Sequence, residues 1–417
     1  MWFGGTIKVR GDMEYLEWSG MSRERFLKGA GVALGAAVLG GGYASRAEAA
    51  TAADPTRYYD GNPVNTTGSY APAGARHLLR SDRPEVISWG FLPNRDAEPV
   101  MEVASGDVVT IEQISHEGIL PDQGSPYSFF ESWGIPQSEI LDDQIMVFEE
   151  VEQKGEGPHV VTGPVAIHGA EPGDWLEVRC LDIAPRVAYG VNSARHGKGS
   201  LPGEYPLGGD DYYGNLLRFD LDRRVGLFPA GHGIEVPLKP FMGIVGVAPD
   251  TSKMVNSVPP DAYGGNLDVK RLMTAGSTAF YPVQVPGALL YTSDGHAAQG
   301  NGEVSLTAIE TSQTPTFQVI LHKKERLAEE HVPVLVNPWG ETEEAYIVTG
   351  INEDLDEAMK QAVRETISFL TQTRGLSRED AYSLASIGID YEVSQVVDIN
   401  KGVHGVIYKH LFPDGRF

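Results

Sequence analysis

Between Ser293 and Glu303 the chain reads Ser-Asp-Gly-His-Ala-Ala-Gln-Gly-Asn-Gly-Glu, which sets an aspartate, a histidine, a glutamine, an asparagine and a glutamate among three glycines. Asp294 and His296 are two apart, so on an extended segment both side chains leave the same face. A pair at that spacing can grip one cation, the histidine through a neutral imidazole nitrogen and the aspartate through oxygen. Glu303 follows across a glycine-rich turn and can reach the same centre as a ligand or as a general base. Upstream, Tyr263-Gly264-Gly265-Asn266-Leu267-Asp268 repeats the device. Asn266 and Asp268 are again two apart, and the two glycines before them permit a close backbone approach. Each stretch taken alone also reads as an ordinary hairpin turn, because Asp, Asn and Gly favour turns for local reasons.

A search for a nucleophile returns nothing comparable. Cys180 is the only cysteine, and it falls on the Val178 side of an alternating strand, where a thiol is structural and no neighbour would activate it. One cysteine also excludes an internal disulfide and a Cys-rich zinc site. No Gly-x-Ser-x-Gly elbow, no His-Glu-x-x-His pair and no Gly-x4-Gly-Lys phosphate loop occurs. Leu327 stands where an inverted zinc motif ending in Glu330-His331 would need its first histidine. Hydrolytic chemistry here therefore calls for a water activated by a metal or a carboxylate. Glu112 and His116 leave a strand end for a loop and are further candidates, as are His168 and Glu171. The remaining histidines discussed, His159, His196, His232, His322 and His404, read as structural or exposed.

The elements that must position these groups are short strands. The 49 glycines and 27 prolines favour many strands and turns over long helices. Ser105-Gly106-Asp107 and Pro172-Gly173-Asp174 are turns, each followed by a strand. In the second, Leu176, Val178 and Cys180 face one way while Glu177 and Arg179 face the other. Residues 186–216, rich in Gly, Tyr and Asn, read as a long loop, such as a lid or an interface. Residues 352–375 form a helix with Asn352 as its cap and Gly375 as its stop, presenting Leu355, Met359, Ala362, Val363, Thr366, Ile367 and Leu370. Ser377 caps a second helix over 377–386, and Tyr391–Ile399 resumes as a strand. The fold class is mainly β, a β-sandwich or barrel-like body over 50–350, with an α+β portion over 351–417 packed on it.

Charge and the N-terminus bound the partners. The chain carries 57 acidic against 33 basic side chains, a formal charge of −24, which argues against nucleic acid. From Met21, the basic residues Arg23, Arg25 and Lys28 precede an apolar Gly/Ala-rich run and the small-x-small site Ala47-Glu48-Ala49. Residues 1–49 thus read as an export signal with an over-extended start, too short in its apolar run to span a membrane. Its Ser22-Arg23-Glu24-Arg25-Phe26-Leu27-Lys28 is similar to a twin-arginine signal, with Glu24 in place of one arginine. The expected location is periplasmic or secreted.

Four stretches together resemble the acetamidase/formamidase family: 161–183, 241–249, 263–310 and 377–398, spread over most of the chain after the export signal. The resemblance implies a hydrolase of carbon–nitrogen bonds in small linear amides, a β-sandwich-like body, metal dependence and a homo-oligomer. On this reading Asp294, His296 and Asp268 hold a divalent metal, zinc by preference, with calcium or manganese as alternatives. Glu303 moves the proton of the attacking water, and Asn266 and Gln299 hydrogen-bond the amide or its oxyanion. The alternative is an exported β-sandwich binding protein for a small or carbohydrate ligand, with the same residues as a structural cation site.

Overall fold

The computed structural model describes residues 74–229 and 233–413, so the expected export signal and His232 lie outside the described residues. Strands dominate, as the glycine and proline content predicts. One sheet has nine strands, in spatial order Arg76–Leu79, Val108–Ile111, Gln313–His322, Trp175–Pro185, Thr278–Pro282, Trp339–Glu341, Ala345–Asn352, Lys401–Tyr408 and Asp390–Gln395. A second sheet runs Gly264–Asn266, Phe241–Gly246, Leu290–His296, Val160–Ile167 and Ile87–Trp89, with Met101–Val103 alongside Val160–Ile167. The two sheets share one core. Val109, Val178, Cys180 and Phe317 from the first meet Val161, Val165, Ile244 and Leu290 from the second. The body is therefore a β-sandwich, mainly β as expected. Cys180 is buried in that core, and burial pushes its thiol pKa well up, which leaves it inert.

Both turn-plus-strand units form, and in each the turn aspartate is the fastening. Asp107 accepts the backbone N–H groups of Ala75 and Ala104 at 2.8 and 2.9 Å. Asp174 accepts those of Glu171 and Lys324, both at 2.9 Å, and the Lys323 ammonium. In Trp175–Pro185 the expected alternation holds, but its polar face is also covered. Glu177 and Arg179 are buried, paired with each other, and Glu177 reaches His322 Nε2 at 2.6 Å. An antiparallel strand between two partners, overlaid on both faces, cannot show a solvated side.

The covering layer comes from the C-terminal portion. The expected boundary at residue 350 falls within Ala345–Asn352, a strand of the nine-stranded sheet. Alternation sends Ile347 and Val406 to the sandwich core, and Tyr346, Val348 and Ile407 to a second core beneath the helices. Helix Leu355–Arg374 is capped by Asp354, whose side chain accepts the Glu357 N–H, two residues beyond the expected cap. Its buried stripe is Ala358, Ala362, Glu365, Thr366, Phe369 and Leu370, so Leu355 and Met359 are left at the exposed edge. The backbone of Gly350 explains the small residues: a Cβ there would lie 2.1 Å from the Ala358 carbonyl oxygen. Arg378–Gly388 begins at Ser377 as expected, with its side chain accepting the Asp380 N–H at 3.0 Å. Trp339 stacks on Phe280 with ring centroids 4.0 Å apart and meets Phe369 edge-on at 5.6 Å. Trp339→Ala is expected to cost about 3–5 kcal/mol, read as a lowered urea midpoint; an unchanged midpoint would show that the helical layer contributes little.

Residues 186–216 depart from the expected loop. Tyr189–Arg195 and Tyr212–Asp220 pair antiparallel from Tyr189↔Arg218 to Arg195↔Tyr212. Val225–Leu227 and Glu235–Pro237 extend the pair to a four-stranded sheet. The polar and glycine residues that suggested a loop occupy a partly exposed strand pair and its connection. Among the described residues no helix is long and apolar enough to cross a membrane.

Candidate active site

Strand Leu290–His296 lies between Phe241–Gly246 and Val160–Ile167, with Phe241 opposite His296 and Ile244 opposite Ser293. It carries Asp294 and His296, whose carboxylate Oδ2 and imidazole Nε2 are 3.0 Å apart. The Gln299–Glu303 turn then folds back. It is clamped by the Gly302 N–H on the Ser394 carbonyl at 2.9 Å, which brings Glu303 Oε1 to 4.0 Å from His296 Nε2. Asp268 follows strand Gly264–Asn266, and its Oδ1 lies 3.5 Å from His296 Nδ1. The two sequence stretches singled out above thus meet at His296.

Three of these carboxylates sit on left-handed backbone: Asp268 with φ 49°, Asp294 with φ 60° and Glu303 with φ 45°. Each such residue costs of order 1 kcal/mol or more, and such strain gathers where function over-determines the backbone. Gly243, on the neighbouring strand, clears the space between them. A Cβ there would stand 2.4 Å from Asp268 Oδ1 and 2.5 Å from Asp294 Oδ2.

Tertiary structure adds further groups, of which only His116 is among the candidates named above. His116 Nδ1 and His159 Nε2 approach Asp294 Oδ1 at 3.8 and 3.7 Å, and the two rings meet edge-on at 5.1 Å. His159, read above as structural or exposed, is buried here because it opens strand Val160–Ile167 beside Asp294. Glu310 Oε1 lies 3.1 Å from His296 Nε2, across an isolated bridge between the two residues. Asp398 is buried against Asp268 and Glu303. His116 had a local signal, its place just past a strand end. His159, Glu310 and Asp398 had none, since each arrives from a different strand or loop.

Not every candidate joins the cluster. Asn266 is buried in register with Ile244, one strand across from Ser293, and its Oδ1 has no hydrogen-bond partner. Glu112 is bound instead at the Arg80 and Arg186 side, and His168 is exposed with Glu102 at 2.8 Å. Gln299 takes a different part from the expected amide contact. Its amide nitrogen donates to the Asp268 and Ser394 carbonyls at 3.1 and 3.2 Å, which turns Oε1 toward His296 Nδ1 at 3.0 Å. His296 therefore donates from Nδ1 and keeps Nε2 for the centre. Gln299→Ala is expected to lower kcat about 10–100-fold, the usual effect of losing such an orienting partner, with KM nearly unchanged. An equal loss in KM would instead make Gln299 a substrate contact.

The electrostatics follow from five buried carboxyl groups facing three imidazoles. Burial alone would raise Asp294, but His296, His159 and His116 outweigh it and hold its carboxyl well below the usual range. Burial opposes charge on His296, yet Glu310 and Asp294 raise its pKa well above the ordinary value; a divalent cation at Nε2 would displace that proton. Burial first, then Asp268, pushes Glu303 well up; burial and Asp294 do the same to Glu310. Burial likewise raises Asp268 to about 6. Burial lowers His116 and His159 to about 4, so both are neutral near pH 7. Neutral imidazoles and crowded carboxylates are the donor set of a divalent cation. The sets His116–His159–Asp294, Asp268–His296–Glu303 and Asp294–His296–Glu310 each bring three ligand atoms within 4.8 Å of one another. Asp268 Oδ1, Asp294 Oδ1, His296 Nε2 and Asp398 Oδ2 are all shut off from solvent without a hydrogen-bond partner. Such atoms are costly unless something binds them, so the residues fit a metal ion.

Comparison with known proteins agrees with this geometry. A sequence model of the Acetamidase/Formamidase family matches residues 247–413. An acetamidase of Mycolicibacterium smegmatis is 28% identical over 200 residues, 35% of this chain and 49% of the relative. A formamidase of Methylophilus methylotrophus is 26% identical over 301 residues, 58% of this chain and 74% of the relative. The match to the acetamidase thus spans about half that protein's length. The crystal structure of an acetamidase from Bacillus halodurans superposes with a TM-score of 0.63 at 28% identity, over 81% of this chain and 99% of that one. The match in sequence includes both stretches that meet at His296, and the match in fold extends across the sandwich that brings them together: over residues 247–413 the chain is similar to the acetamidase/formamidase family.

Proposed function

We propose that this protein hydrolyses the carbon–nitrogen bond of linear amides, releasing ammonia and a carboxylate. The observation that carries this reading is the convergence of Asp268, Asp294, His296 and Glu303, with solvent-excluded, unpartnered donor atoms, at a site in a chain similar to this family. His116, His159 and Asp294 would hold a divalent cation, zinc by preference for two neutral imidazoles. Asp294, His296 and Glu310, or Asp268, His296 and Glu303, would offer a second donor set. When bound, such an ion supplies Lewis acidity, polarising an amide carbonyl and lowering the pKa of water.

The chain's own residues do the rest. Glu303 accepts a proton at its carboxylate from the attacking water and delivers it to the leaving nitrogen. Its raised pKa suits that exchange, since a more basic carboxylate takes a proton from water more readily. Gln299 holds the His296 ring so that Nδ1 stays protonated. The strands on both sides of Leu290–His296 exclude water from the donor atoms.

The test is ammonia release from formamide, acetamide and longer amides by purified protein, with elemental analysis of the same sample. Activity that is lost on chelation and restored by one divalent ion supports the reading. Full activity in metal-free protein would remove the cation from it, and no release from any amide would remove the hydrolase.

A further inference from the structure

Beside the cluster lies a pocket of about 550 Å³, inside the ~300–1,000 Å³ range of sites that hold small organic ligands. Formamide and acetamide fill little of such a space. Gln299 and Glu303 line one part of it, so the pocket leads to the reacting groups. Leu217, Phe228, Val236 and Ile309 form an apolar wall, built largely from the four-stranded sheet. An apolar wall of this kind recognises hydrocarbon and gives an amide group nothing to bond.

Besides the neutral Asn192, Asn301, Ser305 and Thr307, the lining holds two cationic side chains. Lys239 and Lys270 both face the pocket, and neither ammonium has a hydrogen bond or ion pair with any described residue. The acid nearest Lys270 is already engaged: Glu392 pairs with Arg271 at 2.8 Å and accepts a hydrogen bond from Asn301. In a chain with a formal charge of −24, two adjacent unpaired ammonium groups lining one pocket are a local reversal of sign. Glu303 lines the same pocket and, as a carboxylate, would repel an anion while admitting an uncharged amide.

We infer that the amide taken by this site carries a hydrocarbon body and a carboxylate, the carboxylate seated on Lys239 and Lys270 and the amide at Glu303, as in the monoamide of a straight-chain dicarboxylic acid. This inference rests on the amidase reading for its chemistry. Water adds at the amide carbon, the carbon–nitrogen bond breaks, the water's proton passes through Glu303 to nitrogen, and the products are ammonia and the dicarboxylate.

The experiment compares kcat/KM for monoamides of succinate through suberate, their uncharged methyl-ester counterparts, and acetamide. It is repeated in Lys239→Gln, Lys270→Gln and the double variant. At least one chain length is expected to be preferred tenfold or more over its ester. That preference falls about tenfold in the double variant and also declines with added salt. Acetamide turned over as well as every monoamide, or a preference that the lysine substitutions leave intact, overturns the inference and leaves the amidase reading standing. Calorimetric binding of the same monoamides separates the two readings. Binding weakened by the double substitution, without turnover of any amide, retains the pocket assignment and removes the amidase. Absence of both binding and turnover overturns the pocket assignment.

Discussion

Glu303→Gln is expected to lower kcat for amide hydrolysis by about 10²–10⁴-fold, the range for removing a positioned general acid–base group. Glutamine keeps the size and the hydrogen-bonding reach of the side chain but cannot take a proton from water. The substitution also removes like-charge crowding, because Glu303 faces Asp268 and Glu310 within a buried cluster. Stability is therefore expected to hold or rise while turnover falls, the pattern of a residue kept for function at a cost in stability. Ammonia release and a thermal unfolding curve on the same preparation give both readouts. A variant with wild-type kcat would remove Glu303 from the proton path. The same variant separates an amidase from a binding protein, which would have no turnover to lose and would keep its ligand.

Asp294→Asn is expected to lower kcat/KM by about 10³-fold, roughly 4 kcal/mol of barrier, and to lower bound metal with it. Asp294 is the one carboxylate that faces both histidine groups: Oδ1 lies toward His116 and His159, and Oδ2 toward His296. Asparagine is the informative replacement because it tolerates left-handed backbone, and residue 294 has φ 60°. Alanine would add backbone strain to the loss of charge. The substitution leaves the shape of the site and removes the negative charge that holds the His296 imidazolium and completes two of the three donor sets. Elemental analysis beside kcat/KM decides the outcome. Full metal content with full activity would show that the cation, where it binds, does not need Asp294.

Much of this site was legible as local grammar. The spacing of Asp294 and His296, the glycine-rich turn to Glu303 and the pair of glycines ahead of Asp268 are short-range patterns, and each of these side chains reaches the cluster. The turn aspartates, the Ser377 cap and the alternation through Trp175–Pro185 are local in the same sense. Where local patterns misled, a second layer was responsible. Glu177 and Arg179 alternate away from the core as expected, yet both are buried, with Glu177 held by Arg179 and His322. The long helix keeps its position, but close approach at Gly350 turns the alanine side inward and leaves Leu355 and Met359 at the edge. Residues 186–216 look like loop because polar and glycine residues tolerate turns, while pairing in a partly exposed sheet suits them equally well.

The amino-acid order alone pointed to a chain of short strands that draws Asp268, Asp294, His296 and Glu303 together, because periodicity, turn residues and side-chain spacing are properties of neighbours in sequence. Which groups complete the cluster was a matter of tertiary structure. His159, Glu310 and Asp398 come from separate strands and loops, and only the pairing of Leu290–His296 with its flanking strands and the clamp on Gly302 bring them within reach of Asp294 and His296. The tautomer of His296 was decided there as well, by a glutamine whose amide is oriented by two distant carbonyls. So were the pKa shifts, since desolvation arises only when sheets close over charge.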